Sequence, residues 1–192
     1  MKNLRHVCGF TLIELVVTVL MAAIILSAGV PSFRNMILNN RQTTQINNLL
    51  TSLMIARSEA VKRHSNTVTV CKTADQVTCT GAGGWEQGWI IFDDVNGSGA
   101  VDGAEQLIRF YESFANNGLT LRGNAFVASQ VTFLQTGMLA PFSNGTFRVC
   151  DARGQTQANG LIISVTGRVT RAVDTNGDGI VEDGGGVPVP CP

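Results

Sequence analysis

The sequence predicts an α+β protein: one long N-terminal helix followed by a mostly antiparallel β-rich head. Three observations carry this. An apolar run from Phe10 to Val30 contains a single charge, Glu14. The next thirty or so residues, about 34–64, repeat apolar side chains at three- and four-residue spacing. After Asn66 the pattern changes to short apolar bursts separated by Gly/Asn turns, with no long helix between them.

The first segment, 1–9, is a short polar head ending at Gly9, with Lys2 and Arg5 as its cations. Residues 10–33 form the second. At 1.5 Å per residue, Phe10–Val30 makes roughly 31 Å of helix, enough to cross a hydrocarbon core. Lys2 and Arg5 put the head on the cytoplasmic side by the positive-inside rule. An ordinary secretory signal, cut near Ser27-Ala28-Gly29, fits less well: the apolar run is too long for one and carries a charge near its start. A carboxylate in hydrocarbon costs roughly 2.5–3.5 kcal/mol unless it is partnered, so Glu14 is expected to have a use. Pro31 removes a backbone hydrogen bond and is expected to break the helix locally.

Residues 34–64 are read as an amphipathic stalk helix continuing the first. Ile46, Leu49, Leu50, Leu53, Ala56 and Ala60 share one face, and the opposite face is polar. The pattern is too short and not heptadic enough for a coiled coil. The head, 65–192, offers seven candidate strands: 67–72, 88–93, 106–111, 119–121, 130–134, 145–150 and 160–172. Turn clusters such as Gly81-Ala82-Gly83-Gly84 and Asn96-Gly97-Ser98-Gly99 separate them. Trp85 and Trp89 are expected in the hairpin and core. The tail from Asp183 is Gly/Pro-rich and patternless.

Formal net charge is zero, so nothing suggests bulk nucleic-acid affinity, and no acidic run suggests disorder. The five cysteines are Cys8, Cys71, Cys79, Cys150 and Cys191. If the chain is cut after Gly9, Cys8 leaves and an even set remains. Three connectivities are possible. Cys71–Cys79, closing a short loop, and Cys150–Cys191, tying down the tail, are favoured. Bridges imply an oxidising compartment, and the absence of a CxxC spacing argues against zinc or dithiol chemistry.

Gly9-Phe10-Thr11-Leu12-Ile13-Glu14 closely resembles the class III signal of type IV prepilins and type II secretion pseudopilins. That resemblance implies cleavage after Gly9 by a prepilin peptidase, N-methylation of Phe10 and retention of the apolar helix as an anchor. Pilins commonly carry a helix-kinking proline where Pro31 stands. Glu14 would then neutralise the new Phe10 amine, in its own chain or a neighbour's; between subunits the pairing would set axial register. The alternative is a protonated Glu14 with no assembly role.

The resemblance narrows at Ala56-Arg57-Ser58-Glu59-Ala60-Val61-Lys62-Arg63, at Trp85-Glu86-Gln87-Gly88-Trp89-Ile90-Ile91-Phe92-Asp93-Asp94 with Asn96 and Glu105, and at Arg148-Val149-Cys150-Asp151 with Gly167-Arg168. These resemble the GspH/FimT family of minor pilins and pseudopilins, over nearly all of the mature chain. That implies a β-sandwich-like head on a long pilin helix. It also implies a single-pass precursor in the bacterial inner membrane with a periplasmic head, other pilins or pseudopilins as partners, and a final place in a type IV pilus or a type II secretion pseudopilus.

No Ser-x-Gly elbow, HExxH or Walker loop is present, and His64 is the one histidine outside the leader, so no enzyme is expected. Some FimT-type pilins bind DNA for natural transformation through Gly-Arg-x-Arg. Here the run is Gly167-Arg168-Val169-Thr170-Arg171, with its second arginine one place late. On one strand this sets Arg168 and Arg171 on opposite faces. Arg148, Arg153, Arg168 and Arg171 are the candidate DNA contacts; the bland alternative is a solvated strand edge. No cofactor is required, but calcium has a candidate loop. Asp174, Asn176 and Asp178 followed by Gly179 resemble the first half of an EF-hand loop, with Glu182 or Asp183 in place of the missing glutamate at its twelfth position. Asp94, Asn96, Ser98 and Asp102 form a weaker version. Asx-rich β-turns are the alternative for both.

Overall fold

In a computed structural model, residues 9–63, 66–103, 105–188 and 191 are described. Lys2, Arg5, His6, Cys8 and His64 lie outside them. The chain divides into two compact units, one ending at Asn40 and the other beginning at Arg41.

Helix α1 runs from Leu12 to Arg63 without interruption. The break expected at Pro31 is absent. Proline costs one i→i−4 bond and some steric strain, but the helix continues on either side. Within the first unit the apolar side chains from Leu12 to Val30 are exposed.

In the second unit α1 behaves as its periodicity predicts. Ile46, Leu49, Leu53, Ala56 and Ala60 are fully buried, with Leu50 partly so. Two polar residues share that face. Ser52 is buried, donating to the Asn48 carbonyl at 2.7 Å and accepting from Trp89 Nε1 at 2.8 Å. Gln42 is buried too, donating to Asp151 at 2.8 Å and accepting from Asn159 at 2.6 Å.

The head contains two four-stranded antiparallel sheets. The first has strands β1 (Thr67–Lys72), β2 (Trp89–Asp94), β3 (Leu107–Tyr111) and β5 (Gln130–Phe133), in the order β3-β2-β1-β5. The second has β4 (Thr120–Gly123), β6 (Gly145–Cys150), β7 (Asn159–Ile163) and β8 (Val169–Arg171), in the order β4-β6-β7-β8. One core joins the helix stripe to both sheets, through Val68, Val70, Trp89, Ile91 and Phe133 from the first and Leu121, Phe147, Val149 and Leu161 from the second.

Strands β1 and β2 are buried on both faces. Alternate residues, Cys71, Ile90 and Phe92, face away from that core into a smaller cluster with Cys79 and Val101. Two-sided burial is why Trp89-Ile90-Ile91-Phe92 reads as a continuous apolar run and not an alternating one. Trp85 and Trp89 are core residues as expected; Trp85 stands edge-on to Phe147 and Trp89 stacks on Tyr111.

The stretch 160–172 is a hairpin, not one strand. β7 and β8 pair antiparallel around a turn closed by Gly167 N–H to the Ser164 carbonyl at 2.8 Å. Gly167 has φ +73°, and a Cβ there would collide with the Gly137 carbonyl, so the turn requires glycine. Both favoured disulfides are present, Cys71–Cys79 and Cys150–Cys191.

Candidate functional site

The N-terminal segment is built around the start of α1. Thr11 precedes the first helical residue, and its hydroxyl accepts the Glu14 backbone N–H at 3.3 Å. This is half of a capping box, Thr-x-x-Glu, with Glu14 in the first turn where the helix dipole favours an anion. The other half is not made. Among the described residues the Glu14 carboxylate has no hydrogen bond or ion pair, and it stands exposed four residues from Phe10. The cap therefore fixes the Glu14 backbone and leaves its carboxyl group available to another group. The pattern was readable in the sequence, but a hydropathy reading passes over it.

The four arginines singled out as DNA contacts do not form one surface. Arg148 is buried, with Nη2 donating to the Val181 carbonyl at 2.7 Å, so it is not a surface cation. Arg153 is held by Asp151, which accepts from its Nη2 at 2.7 Å. Arg171 is exposed and donates to Asn47 at 2.8 Å. Arg168 leaves the β7–β8 turn into a groove lined by Arg57, Lys62, Met54 and Val61 of α1. Arg168 thus shares a groove with two cations the sequence did not connect with it: Arg57, which donates to the Thr166 carbonyl at 3.2 Å, and Lys62, which pairs with Glu59 at 3.6 Å. Helix period and turn position bring them together, not strand alternation.

The loop after β8 brings the acidic candidates together. Carboxylate oxygens of Asp174, Asp178 and Glu182 lie within 4.8 Å of one another. Asp174 and Asp178 are exposed and Glu182 is buried. In the earlier loop, Asp94 is a buried acceptor for Thr69 at 2.7 Å and for Gly99 N–H at 3.0 Å, while Asp102 pairs with Asn96.

Two further charged pairs were not read from the sequence. Burial pushes the Glu86 carboxyl up, but the Arg122 guanidinium and the Leu121 N–H outweigh it and hold it below the usual range. Asp151 is likewise held low against burial by Arg153 and Gln42. Both carboxylates serve the head's structure.

The chain matches the model described as "Prokaryotic N-terminal methylation motif" over residues 4–30. With an unburied helix apolar enough to cross a membrane leading into a β head, this defines a membrane-anchored protein of the pilin class. Two crystal structures of the type IV minor pilin FimU of Pseudomonas aeruginosa are similar to it. One gives a TM-score of 0.55 at 27% identity, covering 70% of this chain and 90% of that one. The other gives 0.52 at 26% identity, covering 68% and 92%. No curated protein gives a significant match. The model described as "Type II transport protein GspH" matches residues 45–167, and the chain belongs to that family. It is a minor pilin or pseudopilin, and its family is one of structural pilins.

Proposed function

We propose that the chain enters the bacterial inner membrane as a single-pass precursor with its head in the periplasm. There a prepilin peptidase cuts after Gly9 and Phe10 is N-methylated. The anchor then leaves the bilayer as its helix packs among those of other pilins, at or near the tip of a type IV pilus. A type II secretion pseudopilus is the alternative assembly.

The observation that carries this reading is the Glu14 carboxylate, capped at its backbone but unbonded at its side chain, in the first turn of an exposed apolar helix. A cationic amine at Phe10 is the group chemically suited to it, and pairing across subunits fixes axial register. Glu14→Ala is expected to be processed normally and to be missing from sheared filaments. Wild-type incorporation of the variant would defeat the pairing role. A deletion strain separates the two assemblies by loss of surface pili or loss of secreted enzymes.

A DNA receptor role in uptake is the second reading, favoured by the convergence of Arg57, Lys62 and Arg168 on one groove. Phosphate binding by few cations is weak and falls steeply with salt. Mobility shift with the full chain in detergent should show binding that salt and Arg168→Gln both reduce. Absent binding, or binding unchanged by either, removes this reading.

A further inference from the structure

We propose that the loop from Asp174 to Glu182 binds one calcium ion. Its side-chain donors are all oxygens, from Asp174, Asn176, Asp178 and Glu182. The three carboxylates present oxygens within 4.8 Å of one another. Unscreened, that proximity is repulsive; around a divalent cation it is a ligand set.

The independent observation is Glu182. It is 2% exposed. Its Oε2 accepts from the Thr175 N–H at 2.6 Å and the Thr175 hydroxyl at 2.7 Å. Its Oε1 is buried without any donor. A buried carboxylate oxygen with no partner is costly, and native structures rarely leave one. One oxygen of this carboxylate lies within 4.8 Å of those of Asp174 and Asp178, so an ion held there would bind the Glu182 carboxylate as well.

The surrounding charge agrees. Arg148 is buried and bonds the Val181 carbonyl through Nη2, its Nε and Nη1 have no acceptor, and the Glu182 charge acts on it. One guanidinium against three carboxylates leaves two negative charges, which a divalent cation neutralises. Oxygen-only donors disfavour zinc and copper. The exposed, irregular loop suits calcium, which tolerates varied geometry, better than magnesium, which demands an octahedron. Asn176 Oδ1 accepts the Asp178 N–H at 2.9 Å and keeps a lone pair for the ion. The Ile180 carbonyl stands at the seventh place of the loop, where such sites use a backbone oxygen.

The loop lies beyond residue 167, where the family match ends. Its ion would pin a segment that is largely exposed from Val173 to Gly179.

The test is calcium chloride titrated into the full-length protein in detergent, followed by calorimetry and thermal unfolding against a chelator control. A site of this type binds in the range of about 0.1–1 mM, so about 10 mM calcium should raise Tm by roughly 3–10 °C. Magnesium should give less than half that shift. Asp178→Asn alters an exposed side chain and should weaken calcium at least ~10-fold without unfolding the head. Glu182→Gln should abolish binding; if it fails to fold, the wild-type titration and Asp178→Asn decide. No heat and no Tm shift with wild type, or unchanged affinity in Asp178→Asn, overturns the proposal.

Discussion

Trp89 Nε1 donates to the Ser52 hydroxyl at 2.8 Å, tying the central strand β2 to the buried face of α1. The Ser52 hydroxyl in turn donates a hydrogen bond to the Asn48 carbonyl. The helix stripe and the first sheet are thus registered by a directional bond as well as by apolar contact.

Ser52→Ala should leave the buried indole N–H without an acceptor, at a cost of about 1–3 kcal/mol. Thermal unfolding of the full chain should show it as a Tm lowered by roughly 2–4 °C per kcal/mol. In a double-mutant cycle, Ser52→Ala with Trp89→Phe should cost less than the two separate losses summed, because no donor is then stranded. Strict additivity would mean the bond contributes nothing.

Glu86 and Asp151 are the buried contributors to the acid behaviour; the exposed Asp75 and Asp174 are also held low, by hydrogen bonds from nearby backbone N–H groups. Each carboxyl is held below its ordinary value, 4.5 for Glu86 and 3.8 for Asp151. Each therefore stabilises the fold fully above that ordinary value, and its contribution disappears as pH falls through the lower, folded-state value. Tm should be flat from neutral pH down to about 5 and fall below about 4.5. Arg122→Gln should lower Tm at neutral pH and shrink the acid drop, since Glu86 loses its largest stabilising partner. An undiminished drop would assign the acid sensitivity elsewhere.

The two disulfides close loops of very different length, with sequence separations of 8 and 41. Chain-entropy loss in the unfolded state gives about 2.5 kcal/mol for Cys71–Cys79 and about 4 kcal/mol for Cys150–Cys191. Denaturant unfolding of the paired Cys→Ala variants should rank them in that order. The reverse ranking would mean that burial of Cys71 beside Ile90 and Phe92 outweighs loop closure.

Much of this was legible because periodicity reports burial. The stripe from Ile46 to Ala60 sits as its spacing demands, and β1 and β6 have the bounds their apolar bursts suggest. Where polar residues are buried, the same logic fails. Gln42 and Ser52 are polar but inside because each finds partners in the head, and partners across more than thirty residues leave no local trace. Arg148 read as a surface cation for the same reason. The β7–β8 turn was missed because Val165 and Thr166 are good strand residues and Gly167 alone marks the reversal. The acidic loop was visible as spacing, but only the fold shows that Glu182 is inside and Asp174 and Asp178 are outside. The helix did not break at Pro31 because one missing hydrogen bond is small beside the turns that flank it.

The Cys150–Cys191 bridge also makes the end of the chain a covalent ring. A protease that cuts an exposed bond such as those between Gly184 and Val187 opens that ring without releasing a fragment. The nicked head keeps its tail and gains only the mass of one water, so on a gel the cut shows only after reduction.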